Sequence, residues 1–124
     1  MNSEVQERFN RAKEFLRAAE VLHNGSFPSI AAGRAYYAMF HAATAALLSI
    51  GIERSTHRGI IAAFGHSFVK TGKIDKRFNA DLRKAYLLRG EGDYVATPDM
   101  SVRESQILIN AAKDFVAACE AISQ

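Results

Sequence analysis

Residues 31–48 read AAGRAYYAMFHAATAALL, and their pattern decides the fold. As an α-helix these 18 residues would run about 27 Å at the standard rise per residue. Tyr36, Phe40, Ala43 and Leu47 recur at helical spacing, and so do Ala35, Met39, Ala42 and Ala46. Apolar residues therefore cover most of the circumference, the pattern of a helix surrounded by others. The alanines favour the helix intrinsically and let neighbours approach closely. Polar groups interrupt this surface along one stripe. Arg34, Tyr37 and His41 stand at i, i+3 and i+7, so all three share a face. Such a stripe needs partners, because an unpaired buried polar group costs about 1–3 kcal/mol.

The whole chain has 124 residues, enough for one domain, 1–124, with a single core. Its composition, 48% hydrophobic and 23% charged, is that of a globular protein. No charged n-region followed by an apolar run opens it, so no signal peptide is expected. The longest uncharged stretch, 35–52, is alanine-rich and interrupted by Tyr36, Tyr37, His41, Thr44 and Ser49. It reads as a buried helix rather than a membrane span, and no membrane role is expected. The lone Cys119 excludes an intramolecular disulfide and fits a reducing compartment. A net charge of +3 says little, but its distribution is uneven. Residues 1–53 hold five acids and five bases, 54–98 four acids and nine bases, and 99–124 four acids and two bases. The middle third carries the excess.

Outward from the central helix the periodicity predicts four more. Ser3 with Gln6 reads as a capping box for a first helix carrying Val5, Phe9, Ala12, Phe15, Leu16, Ala19 and Leu22, with Gly25 as its left-handed cap. Pro28 suits the first turn of the central helix, and Gly51 closes it. Thr56 or Ser55 caps a third helix bearing Ile60, Ile61, Phe64, Phe68 and Val69 on one face. After a turn at 71–73, Asp75 caps a fourth with Phe78, Leu82, Ala85, Tyr86 and Leu88. Residues 95–100 form a loop with Pro98, and Ser101 with Glu104 makes a capping box for the last helix. That helix buries Val102, Leu108 or Ile109, Ala112, Phe115 or Val116, Cys119 and Ile122. No strand pattern competes. The expected fold is all-α, an antiparallel bundle of about five helices.

Three groups could carry chemistry. Residues 70–89 contain seven bases (Lys70, Lys73, Lys76, Arg77, Arg83, Lys84 and Arg89) against Asp75 and Asp81. That density suits phosphate contacts, or merely solubilises two adjacent helices. Arg89 follows Tyr86 by three residues and Leu82 by seven, so it lies beside the apolar face and should be paired. Asp93 is the local candidate if the helix continues, and a structural ion pair is the plainer reading. The G-x-G at 90–92 is no nucleotide fingerprint, because no strand precedes it. Of the histidines, His23, His41, His57 and His66, none form an i, i+4 pair, and the single cysteine offers no second ligand, so no metal site is expected. His57, at a helix start, reads as a capping residue or as a proton-transfer group.

Four segments in order, RAYYAMFHAA at 34–43, THRGI at 56–60, FVKTGKID at 68–75 and L-R-x-x-x-D-Y at 88–94, together resemble the HEPN domain proteins, in particular their small single-domain branch. The similarity runs over nearly the whole chain. It implies a helical bundle with two long antiparallel central helices, commonly a homodimer, in prokaryotic cytoplasm. It also implies a minimal nucleotidyltransferase as partner, in pairs of toxin–antitoxin type. Active members of the family are metal-independent ribonucleases, needing no cofactor. An arginine steadies phosphate charge, and a histidine four to six residues beyond it moves a proton. The matching arginine is Arg89, but the positions for the histidine hold Tyr94, Val95 and Ala96.

The leading expectation is therefore a nucleotide- or RNA-associated module with weak or no catalysis. The alternatives are a metal-independent endoribonuclease in which His57 or His41 substitutes in space, and a dimeric interaction scaffold. Arg89, Asp93, Tyr94 and His57 are the candidate catalytic residues. Arg34, Tyr37, His41, Lys73, Lys76 and Arg77 are the candidate ligand-binding ones, the last three edging an anion-attracting groove if the polar sets meet at a dimer interface. Two polar sets embedded in apolar helices are most readily satisfied by each other, which predicts that Arg89, Asp93 and Tyr94 lie near the Arg34–Tyr37–His41 stripe.

Overall fold

A computed structural model describes residues 1–89 and 99–124. The described residues form five α-helices and no strand: α1 Ser3–Asn24, α2 Pro28–Ser49, α3 His57–Phe64, α4 Lys76–Arg89 and α5 Val102–Ile122. Asp93 and Tyr94, Gly90 and Gly92, and the expected loop around Pro98 fall outside the described residues.

Helix α2 is the centre of the bundle, packed mainly on α1 and α5 and also touching α3 and α4. Its alanines 31, 32, 35, 38, 42, 43, 45 and 46 are all buried, together with Tyr36, Met39 and Leu47. The many small side chains allow this many neighbours, because an approaching helix can come close wherever it meets a methyl group. Pro28 starts α2 where no backbone N–H is needed. Gly51, at φ 77°, ends it by letting the Ile52 N–H reach the Leu47 carbonyl at 2.9 Å, the bond of a left-handed C-terminal cap.

The ends of α1 differ from the sequence expectation at both termini. Asn2, not Ser3, is the N-cap, its side chain accepting from the Val5 N–H at 2.9 Å. Asparagine and serine cap equally well, so a helix one residue longer takes the earlier of the two. At the other end the helix continues to Asn24, which leaves Gly25 at φ −82°. The left-handed residue is Ser26, at φ 71°. Phe27 N–H then bonds the Leu22 carbonyl at 2.8 Å and Ser26 N–H the His23 carbonyl at 3.1 Å.

The third helix is also not one uniform element. After α3 the backbone widens into a π-helical turn, Gly65–Val69. A Cβ on Gly65 would stand 2.8 Å from Nδ2 of Asn79 on α4, so glycine permits the close approach of α4 there. The turn keeps Phe68 buried, stacked at a tilt on Phe64 with ring centroids 5.3 Å apart. Asp75 Oδ1 accepts from the Arg77 N–H at 2.8 Å and so caps the start of α4.

Helix α5 starts with the expected reciprocal capping box of Ser101 and Glu104, a motif that contributes about 1 kcal/mol. Leu108, Ile109, Ala112, Phe115, Val116 and Cys119 are buried along it. Val102 is 53% exposed, contrary to its assignment to the core. It is the first residue of the helix, and the buried face begins one turn later at Ser105, whose hydroxyl meets His23 Nδ1 of α1 at 2.7 Å. Lys13–Glu120 at 2.7 Å and Lys113–Glu20 at 2.8 Å also tie α1 to α5. Partly exposed pairs of this kind add little stability individually. Burial of apolar surface holds the bundle together.

Candidate functional site

Arg89, the last residue of α4, is only 4% exposed. Its Nη2 donates to the hydroxyl of Tyr37 on α2. Its guanidinium carbon lies 4.6 Å from the Tyr37 ring centroid and 5.5 Å from that of Tyr36. The ring faces carry negative charge and so hold the cation, while α4 and α2 fix the two ends of the contact. The Arg89 and Tyr37 named from the sequence are thus in direct contact.

Tyr36 also meets His57, with ring centroids 5.7 Å apart. Tyr36 is fully buried, and burial raises its hydroxyl well above the ordinary tyrosine value, offset in part by Arg89. The phenol therefore stays protonated and is hydrogen-bonded to His57 Nδ1 at 2.6 Å. Phe40 stacks on the same imidazole with centroids 4.3 Å apart, and Tyr86 at 5.9 Å. His57 is not the capping residue of α3; Thr56 is, accepting from the Gly59 N–H at 2.9 Å.

His41 follows Tyr37 by one helical turn but faces α1. Its Nδ1 lies 3.1 Å from Nη1 of Arg8, and since a guanidinium only donates, His41 is the acceptor. Phe15 of α1 stacks on His41 at 5.3 Å and on Tyr37 at 5.6 Å, joining the two halves of the stripe. Burial first, then Arg8, Arg11 and His57, lower the His41 pKa from 6.5 to about 4. An unfolded chain takes up this proton near pH 6.5 and the folded chain only near 4. The stability owed to neutral His41 is therefore complete above pH 6.5 and is lost as the pH falls towards 4. His41→Gln keeps an acceptor for Arg8 but does not titrate. Its thermal midpoint should fall less steeply than the wild type's across this interval, and parallel curves would remove His41 from the account.

The remaining candidates are dispersed. Arg34 is exposed, one turn before Tyr37 and outside the aromatic cluster. Lys73, Lys76 and Arg77 are exposed at the opposite end of α4. Lys76 and Arg89 are the first and last residues of that helix, about 20 Å apart along its axis, so the basic edge does not adjoin Arg89 within one chain. Arg77 instead covers the Phe78 ring at 4.3 Å. Asp93 and Tyr94 lie outside the described residues. Among the described residues, no group of three His, Cys, Asp or Glu is placed to hold a metal, and no helix is long and apolar enough to cross a membrane. Cys119 is buried, which pushes its thiol pKa up and disfavours a nucleophilic role.

Sequence reasoning missed Tyr36 and Arg8. Tyr36 was assigned to the apolar face, although a tyrosine in a core signals a hydrogen-bond partner for its hydroxyl. Nothing local marks Arg8, which sits 33 positions from His41.

A family model described as the HEPN domain matches residues 5–122. A putative toxin of Methanocaldococcus jannaschii is 31% identical, the alignment covering 91% of this chain and 77% of that one. A second putative toxin of the same organism is 35% identical over 94% of this chain and 86% of its own. A UPF0332 protein of Gloeobacter violaceus is 32% identical over 94% and 93%.

Proposed function

The chain belongs to the HEPN domain family, and on that premise we propose that it is the toxin-type half of a pair with a minimal nucleotidyltransferase. In this reading it binds RNA or nucleotide phosphate as a homodimer in the cytoplasm, with weak or no catalysis of its own. The putative toxins among its relatives support the class. The observation that carries the reading is the burial of Arg89 on two tyrosine rings. A permanently charged group in a low-dielectric setting attracts an oxyanion more strongly than the same group in water. A guanidinium does not give up its proton, so Arg89 can hold phosphate charge without performing acid–base chemistry. The positions where the family's histidine would follow hold Tyr94, Val95 and Ala96.

The test is incubation of the purified chain with single-stranded RNA in a metal chelator. Binding that weakens with added salt, without new RNA ends, is the expected result. Sedimentation should give a dimer at micromolar concentration, and a single 13.6 kDa species would count against that part. Co-expression should retain a nucleotidyltransferase on the chain.

A second reading, a metal-independent ribonuclease, draws on the 2.6 Å bond between Tyr36 and His57. It joins an imidazole to a tyrosine whose ring lies under Arg89. Chelator-resistant cleavage that disappears in His57→Ala would favour this reading over the first.

A further inference from the structure

The contact between Arg8 and His41 is a use of arginine that the Arg89 cluster does not explain. Arg8 donates to a histidine at 3.1 Å. Among the described residues, no carboxylate stands within ion-pair distance of it. Arg8 and His41 both line a groove along α1 together with Glu4, Glu7, Asn10, Arg11, Glu14 and Arg17. Arg11 is engaged with Glu14 at 2.8 Å. Phe15 lies nearly parallel to the imidazole, 14° between planes, and Phe40 meets it edge-on at 5.7 Å. The ring is held in place from two sides.

We propose that Arg8 and His41 form an oxyanion site in this groove, taking a phosphate or phosphodiester group together with one proton. In the empty site Nδ1 accepts from Arg8. When the proton arrives on Nδ1, that nitrogen becomes a donor and can no longer accept. Two donors then face each other and repel, the Arg8 side chain moves aside, and an oxyanion entering from the groove accepts from both. Arg8 and Arg11 from α1 and His57 from α3 oppose protonation of the ring, while Glu4, Glu7 and Glu14, which line the same groove, act in the other direction. A bound anion reverses that balance by placing a negative charge beside both Arg8 and the imidazolium. The site does not depend on Arg89 binding anything.

Proton uptake fixes the signature. Where the free ring is neutral and the occupied one charged, affinity should rise about tenfold for each unit of falling pH. The decisive measurement is the NMR titration of the His41 ring nitrogens in the intact chain, alone, with inorganic sulfate, and with a six-nucleotide oligouridylate. Sulfate keeps its charge across the range and stands in for phosphate. The expected result is a His41 midpoint near 4 without anion, raised by at least about one unit at saturation. The rise should disappear in Arg8→Gln and persist in Arg89→Ala. A rise with sulfate and oligouridylate identifies a general oxyanion site, and a rise with oligouridylate alone identifies a phosphodiester in a strand. A midpoint that neither probe moves, or one already at the ordinary histidine value without anion, overturns the proposal. If Arg8→Gln does not fold, the wild-type titrations alone decide, and Arg8→Lys, which keeps the charge but not the fork, should give a smaller rise.

Discussion

Leu47→Asp should leave a chain that does not fold at room temperature. Leu47 is fully buried on α2, the helix against which α1 and α5 pack. Removing a buried leucine side chain already costs about 2–5 kcal/mol. A carboxylate in its place adds the cost of a charge without a partner. Domains of this kind have about 5–15 kcal/mol of stability, so the substitution consumes most or all of it. Circular dichroism should show loss of the cooperative thermal transition. Val21→Asp is the control, since Val21 lies on α1 but is 71% exposed. Its midpoint should stay within a few degrees of wild type. An unchanged midpoint for Leu47→Asp would mean that α2 is not the centre of the bundle.

That helix was legible because its signal is redundant. Alanine on every face states helix propensity, close packing and burial together, and no local alternative competes. The capping boxes and turns were legible wherever one residue type alone suits the position, as with Ser101 and Glu104 or Gly51. Where two neighbours suit it equally, as Asn2 and Ser3 do, the boundary slipped by one residue. It slipped again when Ser26 rather than Gly25 took the left-handed conformation. The π-helical turn left no trace, because Gly65–Val69 keeps its apolar residues close to α-helical spacing. Arg89 and Tyr37 were legible as polar groups that had to be satisfied inside apolar helices. The basic edge at Lys73, Lys76 and Arg77 is tied to them only through a dimer groove, which the periodicity of one chain does not specify. Arg8 shows the opposite limit, since its contact with His41 is made by packing between two helices and has no local pattern.

Arg89→Ala should separate binding from stability. The substitution removes the donor to the half-buried Tyr37 hydroxyl and the cation on two tyrosine faces, at a cost of about 1 kcal/mol or more. The thermal midpoint should therefore fall whatever the function. RNA affinity is the discriminating quantity. A charged hydrogen bond to phosphate contributes about 1.5–3 kcal/mol, so its loss should weaken binding by the folded fraction by roughly ten- to hundredfold. Losing one phosphate contact should also make the dependence of log K on log salt shallower by about 0.7 for a single strand. Arg89→Lys sharpens the comparison. It keeps the charge but loses the planar fork that lies on the rings, so it should retain more of the salt dependence than alanine does while destabilising the fold. If both variants melt earlier and the folded fraction binds RNA as the wild type does, Arg89 is a structural cation. The bundle and its aromatic cluster would stand, and the phosphate-binding role would not.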